Sequence, residues 1–214
     1  MRATDEPALI GIVVYDGVEP IDVGGTIGVI SMAQRILPAL KYVTIAEAAG
    51  PVRLASGLTI IADAGFAEAP PCDVTLVTGG PGWRAQVENP RMLAFLRDRP
   101  PTQLASVCTG ALILAASGQL AGRTATTRRG AVGAETRAPL DLLAASVAEA
   151  PAVAVSDDHG VVTSGGVSLA IDGTLYVLGR LYGEAVRDRV AGIIEYDRAF
   201  AANRDALGHL VSRS

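Results

Sequence analysis

The sequence predicts an α/β fold, a three-layer sandwich in which a mainly parallel central sheet carries helices on both faces. Two observations lead there. Short apolar, β-branched runs alternate with helical patterns through Val107, the order produced by right-handed strand–helix–strand crossovers. Half of the 214 residues are hydrophobic, 4% are aromatic and 24 are glycine, the profile of a tightly turned core packed with Ala, Val and Leu. No repeat, linker or low-complexity tract interrupts the chain. Residues 1–214 therefore read as one domain, with a core of about 9–196 and a polar tail of about 197–214.

Each element has its own signal. Residues 9–15 form a β-branched run closed by Asp16-Gly17, a fully buried first strand. Val18-Glu-Pro-Ile-Asp22-Val-Gly-Gly-Thr leads into a helix to about Leu37, stopped by Pro38. Residues 41–46 read as a second strand, and 52–54 with 58–62 as a small hairpin around Ser56-Gly57. Cys72 falls in a Pro-rich loop as a structural or incidental thiol. Residues 73–78 are another buried strand, ended by Gly79-Gly80-Pro81-Gly82. Asn89 caps a helix that opens on Pro90 and runs to about Arg99.

Residues 104–107 are a short strand and an apolar helix follows Gly110, with Cys108 at the joint. Residues 122–130 read as a turn, a short strand and a loop, and 131–136 as a weak helix before Pro139. Residues 152–155 and 161–164 flank Ser156-Asp-Asp-His-Gly160 as an antiparallel hairpin. Gly165-Gly166 then releases a buried helix over 168–181, and an amphipathic helix over about 184–194 leads to the tail.

The formal net charge of −4 gives no electrostatic footprint for nucleic acid or an anionic membrane. No apolar run reaches membrane-spanning length and no signal core precedes Leu9, so a cytoplasmic protein is expected. Two cysteines, Cys72 and Cys108, are too few for a disulfide scaffold, and no spacing of Cys or His suggests a metal site.

Ligands of open parallel sheets bind outside the carboxyl ends of the strands. Three such ends carry unusual residues: Asp22 after the first strand, Gly79-Gly80 after Val77, and Cys108 after Val107. A cysteine in a sharp strand-to-helix turn is pushed out at the sheet edge, and the helix N-terminus behind it is expected to lower its pKa. The competing reading is a buried cysteine acting only as a small hydrophobe. Asp22 is either a helix cap or a carboxylate hydrogen-bonded to the Cys108 sulfur as general acid and base. The Gly79 and Gly80 amides are either a plain turn or an oxyanion hole. The two histidines, His159 in a hairpin turn and His209 in the tail, read as solvated surface residues, so Cys108 would have to work with a carboxylate.

These pieces resemble the ThiJ/PfpI superfamily, the class I glutamine-amidotransferase-like group. The matching stretches are Gly11-Ile-Val-Val-Tyr-Asp-Gly, Ile21-Asp-Val-Gly-Gly, Ser56-Gly-Leu, Asp73-Val-Thr-Leu-Val-Thr-Gly-Gly-Pro-Gly, Ser106-Val-Cys-Thr-Gly-Ala, Leu120-Ala-Gly-Arg-Thr-Ala-Thr-Thr and Thr163-Ser-Gly-Gly-Val-Ser-Leu-Ala-Ile-Asp172. The resemblance covers roughly residues 9 to 196 and implies a flavodoxin-like fold and a homodimer. Cys-Thr-Gly, rather than Cys-His-Gly, is similar to the isocyanide hydratase branch and to the effector domains of AraC-type regulators.

For hydratases of that branch the resemblance implies a cysteine and an aspartate acting without metal or organic cofactor. On this chain these are Cys108 and Asp22, with Thr109 beside the nucleophile and Gly79 and Gly80 as substrate or oxyanion contacts. Arg128, Gly166 and Val167 are candidate pocket residues. The family's Thr-Thr-His-Trp is here Thr126-Thr127-Arg128-Arg129, and its Gly-Pro after the aspartate is here Gly25-Thr26. An arginine there would help ionise Cys108, bind a substrate carboxylate, or simply lie on the surface. The expectation is a small-molecule hydratase that converts an isocyanide to an N-substituted formamide. The alternatives are a glyoxalase- or amidase-like enzyme and a metabolite- or redox-sensing domain.

Overall fold

The computed structural model describes residues 1–212, and in it an eight-stranded sheet lies between two helical layers. Strand β1 (Ala8–Val13) leads into α1 (Pro20–Ala33), then β2 (Leu40–Ala46), the hairpin β3 (Gly50–Arg53) and β4 (Thr59–Ala62), and the short β5 (Ala64–Gly65). Next come β6 (Val74–Val77), α2 (Trp83–Gln86), α3 (Pro90–Arg97), β7 (Leu104–Val107), α4 (Gly110–Ala116) and α5 (Pro139–Leu143). The chain closes with β8 (Val155–Asp158), β9 (Val161–Ser164), α6 (Leu169–Tyr182), α7 (Glu184–Ile193), α8 (Asp197–Leu207) and β10 (His209–Ser212).

The sheet order is β10-β8-β9-β7-β6-β1-β2-β5. Only β8 and β9 pair antiparallel; the other neighbours run parallel. Helices α1, α6 and α7 pack together on one face, and α4 with α2, α3 and α5 on the other. Both faces are therefore covered, which is why β1, β6 and β7 are mostly Val, Ile, Leu and Ala, with Thr75 and Ser106 buried among them, rather than alternating polar and apolar residues. β1 pairs with β2 on one side and β6 on the other. The connections leaving this part of the sheet diverge, and such a switch point leaves a crevice above the strand ends.

Local chemistry sets the boundaries. The Asn89 side chain accepts hydrogen bonds from the backbone N–H groups of Arg91 and Met92, with Pro90 at the first helical position, as expected of this cap. Gly110 opens α4 directly against β6, where a Cβ would lie 2.2 Å from the carbonyl oxygen of Val77. We expect Gly110→Ala to lower the unfolding free energy in urea by roughly 2–4 kcal/mol, because the clash is with backbone that cannot turn away. A loss below ~0.5 kcal/mol would show that the strand end can shift to make room.

The structure corrects four expectations. Residues 131–136 are not helical; a short helix begins only at Pro139, where proline serves as a start rather than a stop. The second hairpin takes Asp157 and Asp158 into β8 and turns at His159-Gly160, both at positive φ. Buried acids are tolerated there because each has partners: Asp158 accepts from the Thr124 N–H at 2.7 Å, and Asp157 from the Tyr176 hydroxyl at 3.0 Å. Residues 197–212 are not a tail but α8 and the edge strand β10. Phe200 of α8 is buried, and Asn203 and Tyr196 both donate to the buried Asp172 carboxylate of α6.

His209 is the fourth correction. It is half-buried between Tyr176 and Phe200, with ring centroids 5.6 Å from each, and its Nε2 is buried without a partner. Burial, helped by the charges of Arg187 and Arg204, pushes its pKa down to about 4. The folded imidazole is held neutral, so this packing contributes its full stability above the ordinary histidine pKa of about 6.5 and loses it as pH falls through about 4. We expect His209→Phe to flatten the fall in unfolding free energy between pH 6.5 and 4. Parallel profiles for the two proteins would exclude His209 as the titrating group.

Candidate active site

Asp22, Gly79, Gly80 and Cys108 meet above the carboxyl ends of β1, β6 and β7. Asp22 lies in the first turn of α1 rather than at its cap; the cap position is Glu19, whose side chain makes no capping bond. Cys108 sits at φ +53°, a left-handed conformation that costs a non-glycine residue about 1–2 kcal/mol. The turn is held from both sides. The Cys108 N–H donates to the Gly165 carbonyl at 3.1 Å, and its own carbonyl accepts the Thr127 hydroxyl at 2.6 Å. Strain fixed this firmly places the side chain in one direction.

Two glycines let the groups close in. A Cβ on Gly79 would stand 2.6 Å from the Cys108 Cβ and 2.8 Å from Asp22 Oδ2, and one on Gly166 would stand 2.5 Å from the Cys108 Sγ. Asp22 is fully buried, and its Oδ1 accepts the Val167 N–H at 3.2 Å. Oδ2 is buried without a hydrogen bond of regular geometry and borders the Cys108 thiol.

Burial pushes the Asp22 carboxyl up to about 6, opposed by hydrogen bonding from the Cys108 thiol and from the Val167 and Gly79 amides. Cys108 is only 3% exposed. Burial first, and then the Asp22 charge, push its thiol up to about 12; the Thr109 amide and Arg128 pull the other way without prevailing. The expectation of a helix-lowered thiol is therefore reversed, because desolvation outweighs the few partial charges of a seven-residue helix. At neutral pH the pair rests as thiol and carboxylate, with one proton to exchange between them.

The remaining candidates divide. Gly80 does not offer a free amide: its N–H donates to the Thr109 Oγ1 at 2.9 Å. The backbone amide of Gly79 serves Asp22, and that of Thr109 faces the sulfur. Arg128 enters the pocket wall, but its guanidinium already pairs with both oxygens of Glu135 at 2.7 Å and bonds the Gly130 carbonyl. Arg129 is exposed and lines only the adjoining recess with Gly130 and Leu169. His159 is largely exposed beside Asp158, and Cys72 is half-buried at its loop; neither lines the cavity over Cys108.

That cavity measures about 460 Å³ and opens over Cys108 and Thr109. Its walls include residues that sequence patterns did not single out: Ile21, Pro81, Trp83, Arg84, Val132 and Glu135. Trp83 had a signal, being the only tryptophan and standing directly after Gly79-Gly80-Pro81-Gly82. Glu135 had none, since its role depends on a loop folding back to Arg128. Among the described residues no cluster of His, Cys, Asp and Glu could hold a metal, and no helix is long and apolar enough to cross a membrane.

The chain is similar to known proteins along most of its length. The model of the DJ-1/PfpI family matches residues 8–178. An isonitrile hydratase of Pseudomonas putida is 30% identical over 189 residues, covering 87% of this chain and 78% of the relative. The HTH-type transcriptional regulator GbdR of Pseudomonas aeruginosa is 27% identical over 90% of this chain, a match that spans 52% of the regulator. A crystal structure of a THiJ/PfpI family protein from Pseudomonas syringae superposes with a TM-score of 0.77 at 28% identity, covering 90% of this chain and 76% of that one.

Proposed function

The chain belongs to the DJ-1/PfpI family, and on that premise we propose that it is a cysteine-dependent hydratase converting a small isocyanide to an N-substituted formamide. The observation that carries the reading is the Cys108–Asp22 pair: a strained elbow thiol facing a buried carboxylate whose second oxygen is free to exchange a proton. An isocyanide, R–N≡C, is neutral, and this resting pair needs only its own proton to begin.

Asp22 takes the thiol proton as the sulfur bonds to the terminal carbon, and returns it to that carbon. The product is a thioimidate, R–N=CH–S–Cys108. Water then adds across C=N, its hydroxyl to carbon and its proton to nitrogen. Asp22 takes the hydroxyl proton as the C–S bond breaks and passes it to the departing sulfur. R–NH–CHO leaves, and thiol and carboxylate are restored. The raised Asp22 pKa suits this task, because a carboxyl near 6 both accepts and gives up a proton readily at neutral pH. The reading uses no metal or organic cofactor, a small-molecule substrate and no nucleic acid, and takes the homodimer implied by the resemblance as its assembly. The test is steady-state hydration of an aryl isocyanide, with the formamide identified by mass and Cys108→Ala as blank.

The likeness to a transcriptional regulator favours a second reading, a domain that binds a metabolite without turning it over. Binding of the isocyanide with no formamide formed would favour it. A thiol pushed up to about 12 speaks against its redox-sensing form, since oxidation proceeds through the thiolate.

A further inference from the structure

We propose that the Arg128–Glu135 pair makes the cavity selective for neutral substrates with a compact apolar substituent, and that Glu135 is its specificity-determining residue. The inference rests on Cys108 as the reacting group. Sequence alone left three readings of Arg128 open, one of them an arginine offered to a substrate carboxylate.

The geometry removes that offer. Arg128 Nη2 donates to both Glu135 oxygens at 2.7 Å while Nη1 donates to the Gly130 carbonyl, so the guanidinium edge an incoming carboxylate would need is already engaged. The pair is mostly buried, with side-chain exposures of 13% and 19%, so solvent does not readily loosen it. The remaining charges on the wall, Arg84 and Glu19, are of opposite sign, and the Asp22 carboxylate lies beneath. An anion entering here meets, beside the sulfur, an arginine whose charge Glu135 already balances; Arg84, the other cation on the wall, lies over the Trp83 ring.

The same pair shapes the wall. Glu135 Oε2 also accepts the Val132 N–H at 2.9 Å, and the Glu135 N–H donates to the Val132 carbonyl at 3.2 Å. These bonds hold an otherwise exposed loop so that Val132 lines the cavity. Across from it stand Ile21, Trp83 and Val167, on three other segments. What remains is an apolar slot of about 460 Å³, near the lower end of small-molecule sites.

Two readouts test this without requiring hydration. The first compares alkylation of Cys108 by iodoacetamide and iodoacetate, which differ in charge but hardly in size, mapped by peptide mass and normalised to a free thiol. The wild type should favour the neutral reagent by about tenfold. Glu135→Gln, which frees the Arg128 charge, should shrink that preference at least about threefold, and Glu135→Asp should stay near the wild type.

The second readout works even where the buried thiol resists both reagents. Trp83 is the only tryptophan and lines the cavity, so its fluorescence reports entry directly. Glu135→Gln should raise quenching by iodide and leave quenching by neutral acrylamide unchanged. A wild type indifferent to reagent charge, or a Glu135→Gln protein with unchanged iodide quenching, would overturn the proposal. Absence of isocyanide turnover would instead count against the hydratase reading and leave both readouts standing.

Discussion

Cys108→Ala is expected to lower the rate of isocyanide hydration by a factor on the order of 10⁴ or more, to the level of the uncatalysed reaction. The size follows from what the sulfur does in the proposed cycle. It supplies the bond that converts one slow addition of water into two easier steps, and the neighbouring hydroxyls are already engaged. Thr109 is committed to Gly80, and the Thr127 hydroxyl to the Cys108 carbonyl. The loss should appear in kcat, with the apolar cavity and its substrate affinity largely kept. Alanine in place of cysteine at φ +53° leaves the elbow bonds to Gly165 and Thr127 intact, so the fold should persist. Turnover by a folded Cys108→Ala protein within about tenfold of the wild type would end the covalent mechanism.

Asp22→Asn should lower kcat by roughly 10²–10⁴-fold, the usual worth of a positioned acid–base group. An amide cannot take the thiol proton, and burial, the larger cause of the raised thiol pKa, remains when the Asp22 charge is gone, so little thiolate forms at neutral pH. The wild-type rate should climb as pH rises through about 6, where the Asp22 carboxyl ionises, and this acidic limb should vanish in the variant.

Stability should move the other way. The folded pKa of Asp22 is raised above the ordinary carboxylate value, so its contribution to stability is fully present below about pH 3.8 and is lost as pH rises through about 6. At pH 7 the buried charge is therefore a cost, and Asp22→Asn should match or exceed the wild type in unfolding free energy. A variant that is both inactive and markedly less stable would mean that Asp22 is chiefly structural.

Much of this molecule is written locally. The short, largely apolar runs that became β1, β6 and β7 read as strands covered on both faces, and their alternation with helices points to a parallel sheet. Asn89-Pro90 marks a helix start because its capping bonds are made within three residues. The Cys-Thr-Gly turn and the position of Asp22 after β1 were legible for the same reason: each lies at a strand end, and the sheet brings its strand ends together.

What the tertiary structure decided is what depends on groups distant in sequence. Asp157 and Asp158 sit in a strand because Tyr176 and Thr124 reach them. Residues 197–212 became α8 and β10 because Asp172, Phe200 and His209 found partners that their own neighbourhoods do not contain. The ionisation of Cys108 followed burial and a carboxylate contributed by α1 rather than the helix behind it, since desolvation is a property of the whole surround. Arg128, for which the sequence left thiol ionisation, carboxylate binding and a surface position open, became half of a closed pair once the loop brought Glu135 back to it. Short-range patterns determined where Cys108 and Asp22 would stand; their protonation, and the walls of the cavity above them, came only from the packed fold.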